Sequence, residues 1–445
     1  MSSKNFRLRR INPREIPGRI RASFSSFTRE ISQMRGTNVW IFIMYGLLFD
    51  MVNNLWRPFS VRFLERLGGT EFEISLLSAL PGAVAAIVLL PGAIMFRRFT
   101  DKKRATAAFI LISRASLLAI AFVPILPAHL RPMLFVIFVA IMNCPDSLSQ
   151  TSLQSFLGTV FNGNTRGQAI ALRTKFGQAV IPFVTITAGL AITFIPNTDE
   201  QRMVLYQIFF VMAFLLGVAE VIVFNRLKVP DYATQEEAEK PHHSWEDIKN
   251  IAKDKRFRAF FIPAICFAFT WQAGWPLVNI FQVMTLQATE LWFAIYALIS
   301  GLAAFLSGGF WQKLLRRRGN NVTFIVSAGL LASNMFVFPF VPNVQVMAAV
   351  TVLTGFSAIG INTALLNGVL EATPDENRMM YLAFYNTVMN ISLFIAPFFA
   401  MALLAWFGNT NALLAVGVLR VIATLFIWLR YKFRKQAQTE PDLDY

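Results

Sequence analysis

Histidine and cysteine are nearly missing from this chain, three and two residues among 445. Neither forms a cluster with metal-ligand spacing, and His242 and His243 fall in a polar stretch. No nucleophile stands beside a base in a recognisable pattern. A Gly-x-x-x-x-Gly-Lys-Ser/Thr phosphate loop is missing too, which excludes an ATP-driven pump domain from this sequence. Together these gaps argue against an enzyme, a metal site or a resident cofactor. Cys144 and Cys266 lie inside apolar runs, where they read as small hydrophobes rather than a disulfide. Charge is scarce as well. Asp, Glu, Lys and Arg make up 15% of the chain, against about 25% in an ordinary soluble protein.

What is abundant is apolar: 55% of residues are hydrophobic, in runs that recur along the whole chain. The runs are long enough for helices to cross a hydrocarbon core of roughly 30 Å. They do not alternate as β-barrel strands do. The fold class expected is an all-α polytopic membrane protein. Its net charge of +16 could point to nucleic acid, but the distribution argues against that. Most Lys and Arg fall in the termini and in alternate loops, the bias of cytoplasmic segments. Anionic membrane lipids are the expected partner of this charge.

Residues 1–37 are basic, and Ile20, Phe24, Phe27, Ile31 and Met34 recur at helical spacing. That pattern predicts an amphipathic helix on the inner membrane surface. A full-length span follows directly, so no cleavable signal peptide is expected. Twelve spans are predicted, near 38–64, 73–96, 105–126, 132–160, 168–195, 203–225, 257–283, 290–312, 322–342, 344–370, 380–407 and 411–430. An even number puts both termini on one side, the cytoplasm by the basic loops. The charged break at 226–256 reads as a linker, with Ser244-Trp245-Glu246-Asp247 resembling a capping box. It divides the chain into six-helix bundles at 38–225 and 257–430, with a tail at 431–445.

The halves repeat. Trp56, Leu67, Thr70, Glu71, Gly82 and Ala85 recur as Trp275, Leu286, Thr289, Glu290, Gly301 and Ala304 at one offset of 219. Arg166 and Ala171 recur as Arg378 and Ala383, and the Gly217–Ile222 segment recurs as Gly417–Ile422 with Arg420 in the place of Glu220. Duplicated units of this kind are a signature of secondary transporters. With the 6+6 organisation, the charged central loop and basic loops after spans 2 and 8, the chain resembles the major facilitator superfamily. Its 2–3 loop departs from that family's signature, with Arg97 where an Asp is expected. The resemblance implies two pseudo-symmetric six-helix bundles rocking about a central cavity lined by spans 1, 4, 7 and 10, in a protein that is a monomer by default.

Candidate site residues are the polar ones inside those spans. Asp50, Asn54 and Arg57 share a helix face at i, i+4, i+7, and Asn143, Asp146 and Gln150 do so at i, i+3, i+7. A carboxylate in mid-bilayer costs about 2.5–3.5 kcal/mol on insertion scales. Asp50 and Asp146 are therefore candidate proton or cation coupling groups, with Arg57 as their partner or an anion contact. The competing reading is that amides and hydroxyls hold both acids for packing alone. The second half offers neutral and aromatic candidates for a solute pocket: Trp271, Gln272, Trp275, Asn279, Asn362, Tyr385, Asn386 and Asn390. These also fit ordinary packing and interhelical hydrogen bonding. Arg114 and Glu220 lie at similar depths in spans that the resembled fold makes neighbours, which predicts a structural ion pair. No acid is evident for Arg420.

The function expected is secondary active transport of a small organic solute by alternating access, coupled to protons before sodium and with export favoured over uptake. The other reading is a protein of the same fold that moves or binds lipid, or assists assembly, without ion-coupled transport. The membrane expected is the bacterial cytoplasmic membrane.

Overall fold

Helices account for the described architecture because the apolar runs leave their backbone polar groups no partner but one another. The computed structural model of the protein describes residues 37–97, 99, 101–161, 163–228, 250–374 and 378–439. The amphipathic segment at 20–34 and the capping pattern at Ser244 lie outside the described residues. The helices are α1 (Asn38–Trp56), α2 (Glu71–Arg97), α3 (Lys102–Phe122), α4 (Arg131–Val160), α5 (Gly163–Phe194), α6 (Asp199–Phe224), α7 (Lys255–Ile280), α8 (Glu290–Val337), α9 (Val344–Ala372) and α10 (Arg378–Thr439). A short helix, Ser60–Arg66, prolongs α1 past Pro58, and a π-helical turn, Phe281–Thr285, prolongs α7. Among the described residues, nine helical stretches are long and apolar enough to cross a membrane.

Several starts are set by short polar side chains that accept orphan backbone N–H groups. Thr198 accepts from Gln201, Asn343 from Val346 at 2.9 Å, and Asp101 from Arg104 at 2.9 Å. Two of the expected gaps between spans shrink to breaks at single glycines inside long helical stretches. Lys313–Arg318 continues α8, since Lys and Arg are good helix formers. The chain bends only at Gly319, whose φ of 79° suits a residue without a Cβ. Gly408, with φ of 71°, does the same inside α10.

Helices α1 to α6 pack chiefly on one another, and α7 to α10 likewise. The two groups meet where α2 lies on α7 and α10, and where α5 lies on α8. The α2–α10 crossing is close because Gly82 has no side chain. A Cβ there would sit 2.8 Å from the backbone nitrogen of Phe394 and 2.9 Å from the carbonyl of Asn390.

The start of α7 shows how local polar chemistry anchors a helix at the membrane edge. Asp254 accepts from the backbone N–H of Arg256 at 2.8 Å and of Phe257 at 3.2 Å, and from the Tyr381 hydroxyl at 2.8 Å. Partial burial pushes its carboxyl up, but these hydrogen bonds outweigh it and hold the group below the usual range. A folded-state value below the unfolded one means stability that is present above about pH 4 and is lost as pH falls through the folded value. Replacing Asp254 with Ala should cost about 1 kcal/mol at neutral pH. The difference between wild type and Asp254→Ala in thermal unfolding should vanish in acid.

Candidate functional site

The intramembrane acids of α1, α4 and α6 do not stand alone; arginines answer each of them. Asp50, half-buried on α1, faces Arg173 of α5, with Nη2 to Oδ1 at 3.3 Å. Small residues make the room. A Cβ on Gly177 would run into the Asp50 carboxylate, and one on Gly46 into the Arg173 side chain. Asp146, buried on α4, lies between two guanidinium groups, Arg57 Nη2 at 3.4 Å and Arg114 Nη1 at 3.4 Å. Arg114 and Glu220 form the pair expected between α3 and α6: Nε to Oε2 at 2.9 Å and Nη2 to Oε1 at 3.2 Å, the fork geometry of a bidentate contact. Both are fully buried.

Phe49 ties these contacts together. The Arg114 guanidinium lies 5.3 Å from its ring centre and that of Arg173 lies 5.6 Å from it. Two cations on one aromatic ring gain from its quadrupole where water is scarce. Three acids and three arginines thus make a network with no formal charge left over: Asp50, Asp146 and Glu220 against Arg57, Arg114 and Arg173. The sequence singled out all but Arg173. Its signal was available, an arginine seven residues after Arg166 and inside an apolar run.

The amides around this network serve their own helices. Asn54 donates to the Asp50 carbonyl at 2.8 Å and Asn143 to the Val139 carbonyl at 2.6 Å. The Gln150 amide nitrogen is buried without a hydrogen-bond partner. Asp146 has Arg57 as the partner expected, and Asp50 has Arg173 instead.

In the second group of helices, a cavity of about 490 Å³ collects Trp271, Trp275 and Asn279 with Gln282, Asn334 and Arg420, closed on one side by Ser78 and Pro81 of α2. The indoles of Trp271 and Trp275 meet edge to face, 5.9 Å apart. Gln272 turns away to α10, accepting from Ser392 Oγ at 2.7 Å and donating to the Met389 carbonyl at 3.4 Å. The remaining candidates are not gathered here. Asn362 and Asn386 are exposed, Tyr385 packs on Phe260 and Phe261, and Asn390 donates to the Asn386 carbonyl.

A third polar cluster joins the two helix groups at the end where α1 finishes and α8 begins. Arg66 holds Glu290 with Nε to Oε1 at 2.5 Å and Asp199 with Nη1 to Oδ1 at 3.0 Å. Tyr206 donates to Glu290 at 3.2 Å, and the backbone N–H of Leu291 to Thr193 Oγ1 at 3.1 Å. Glu290 is buried.

A model of the Major Facilitator Superfamily matches residues 39–366 and 285–444. A "Multi-drug resistance efflux pump PmrA homolog" from Lactococcus lactis subsp. lactis (strain IL1403) is 30% identical over 135 residues, 30% of this chain and 32% of that protein. The alignment thus spans about a third of that relative's length. Among solved structures, the nucleoside transporter NupG superposes with a TM-score of 0.65 at 13% identity, over 89% of this chain and 99% of that one. The xylose transporter XylE from E. coli, in an inward open conformation, superposes with a TM-score of 0.63 at 16% identity, over 88% and 95%. At these identities the structures establish the fold alone.

The bidentate pair gives a stability test. Cutting Arg114 to Ala strands the buried Glu220 and should cost about 3–5 kcal/mol, and Glu220→Ala should cost less because Arg114 keeps Asp146. Replacing both with Leu should cost less than the two single losses summed, measured by unfolding in detergent.

Proposed function

This chain belongs to the Major Facilitator Superfamily of membrane transporters, and from that premise we propose that it is a secondary active transporter of a small organic solute. It works by alternating access, is coupled to protons, and exports its solute across a bacterial cytoplasmic membrane with both termini inside. The efflux-pump name of its Lactococcus relative supports the direction. We assign it twelve spans in two six-helix bundles. Nine helical stretches qualify by length and apolarity, Gly319 and Gly408 each divide one of these in two, and α5 carries a shorter apolar stretch at Val180–Phe194.

The observation that carries the coupling is the placing of Asp50 and Asp146, each held by arginine across a helix contact. Adding a proton to Asp50 removes the charge that fastens Arg173 and so loosens α1 from α5. Adding one to Asp146 releases Arg57, whose side chain is 44% exposed and otherwise lies over the Trp56 ring. Intramembrane acids that exchange protons commonly have such switchable partners. The cavity beside Trp271 and Trp275 takes the solute in this reading, so ion and solute act on different helix groups. The cluster of Arg66, Glu290 and Asp199 closes the outer end, and it must part for the cavity to open outward.

Two measurements test this. In proteoliposomes, Asp50→Asn should abolish solute movement driven by an imposed pH gradient while sparing solute exchange at equal pH. Equal loss of both would refute coupling at Asp50. A cysteine in place of Leu291 should react roughly tenfold faster with an impermeant maleimide from outside when Glu290→Gln is added. An unchanged rate would refute the outer latch.

A further inference from the structure

Arg420 is the one fully buried cation among the described residues with no carboxylate in ion-pair contact. It is 1% exposed, as deeply buried as Arg114. Its hydrogen bonds go to neutral carbonyls: Nε to Thr270 at 3.2 Å, Nη1 to Leu331 at 3.3 Å and Nη2 to Trp271 at 3.0 Å. Carbonyl dipoles ease the burial of a cation, but they do not cancel its charge. The first helix group balances three acids against three arginines. The second leaves this single positive charge over, at the position where the repeat has Glu220.

The guanidinium has five N–H groups. Those three bonds leave one N–H on each terminal nitrogen without a partner in the protein, available to a carboxylate or phosphate oxygen. Arg420 also lines the 490 Å³ cavity, together with Gly274. A Cβ on Gly274 would collide with Arg420 Nη2, so that glycine keeps the terminal nitrogen against the cavity wall. Opposite polar chemistry is present as well: Asn334 donates to Thr354 Oγ1 at 3.1 Å, while its Oδ1 is buried without a donor. The rest of the lining is mainly apolar, with the crossed indoles of Trp271 and Trp275.

We infer that this cavity binds an organic anion, with Arg420 as the counter-ion of its carboxylate or phosphate and the two indoles against an apolar body. A hydroxyl or N–H on the same molecule satisfies Asn334. The inference rests on the reading of the cavity as the solute site, and it names the solute's charge.

Dansylglycine and dansylamide share a body and differ by one carboxylate. Titrated against the detergent-solubilised full chain without any gradient, dansylglycine should bind about tenfold tighter or better. Arg420→Gln should bring the two to within about twofold, and Arg420→Lys should keep part of the gap. Equal binding to the wild type, or a gap that survives Arg420→Gln, would overturn the assignment. Should Arg420→Gln fail to fold, Trp275→Ala, at a residue already 43% exposed, decides the location. It should weaken dansylglycine several-fold, and an unchanged affinity overturns the site. Competition separates two sources of the same chemistry. Displacement by soluble octanoate where phosphatidylglycerol has no effect marks a free organic anion, the reverse marks a lipid head group, and displacement by neither overturns the proposal. Gradient-driven dansylglycine uptake is read separately. An intact binding gap without uptake refutes transport and leaves the anion site, whereas transport of a neutral solute without any gap does the opposite.

Discussion

The arrangement depends on charge being cancelled where water cannot do it. A helix crossing a bilayer satisfies its own backbone, so only side chains can bring polarity into the interior. Each one that does so must find a partner or border an aqueous space. In α1 to α6 the solution is collective. Arg114 is shared by Glu220 and Asp146, Asp146 is shared by Arg114 and Arg57, and Phe49 is within reach of the guanidinium groups of both Arg114 and Arg173. No member can change its charge without altering the others' surroundings. Under the proposed coupling, a proton arriving at one acid would therefore act on contacts among α1, α3, α4, α5 and α6 together.

The two helix groups use the repeated framework differently. Gly217 and Gly417 occupy matching places in the repeat, and each receives a side chain from a neighbouring helix. Gly217 accommodates the stem of Arg114, while Gly417 accommodates Met335 and Phe336. Three residues later the two copies part: Glu220 answers a cation, whereas Arg420 is one. The duplicated frame thus keeps its small-residue crossings while the charge chemistry between them diverges. Ionic balance is kept in one copy, and an unmatched cation beside a cavity is left in the other.

Much of the fold was legible in the sequence because the bilayer imposes long apolar runs and confines charge to their ends. The 132–160 run corresponds to α4 at Arg131–Val160, and 168–195 to most of α5. How far helix runs before the break inside α8 was less legible. Lys313–Arg318 reads as a loop by charge, yet a basic stretch at a membrane edge carries helix as readily as coil. The spacing of Asp50, Asn54 and Arg57 told which side chains share a face. It could not tell that Asn54 would spend its amide on the Asp50 carbonyl, or that Arg173 would come across from α5. Those outcomes turn on side-chain reach and on glycines that open space, and neither leaves a periodic trace. Arg66 escaped notice, and Glu290 was read only as part of the repeat, because both stand at helix ends, where charge is ordinary.

If the molecule works by the proposed alternating access, the forked contact at Arg66 has a consequence for how it opens. Its two carboxylate partners belong to different bodies: Asp199 sits on α6, in the same group as Arg66, and Glu290 starts α8 in the other. Tyr206 and Thr193, which also hold the start of α8, stay with Arg66. When the groups separate, Arg66 keeps company with Asp199, whose side chain is 80% exposed. Glu290 departs with nothing. The burden of parting falls on a single carboxylate, which only incoming water can relieve, so wetting of that end and separation of the helices become one event rather than two.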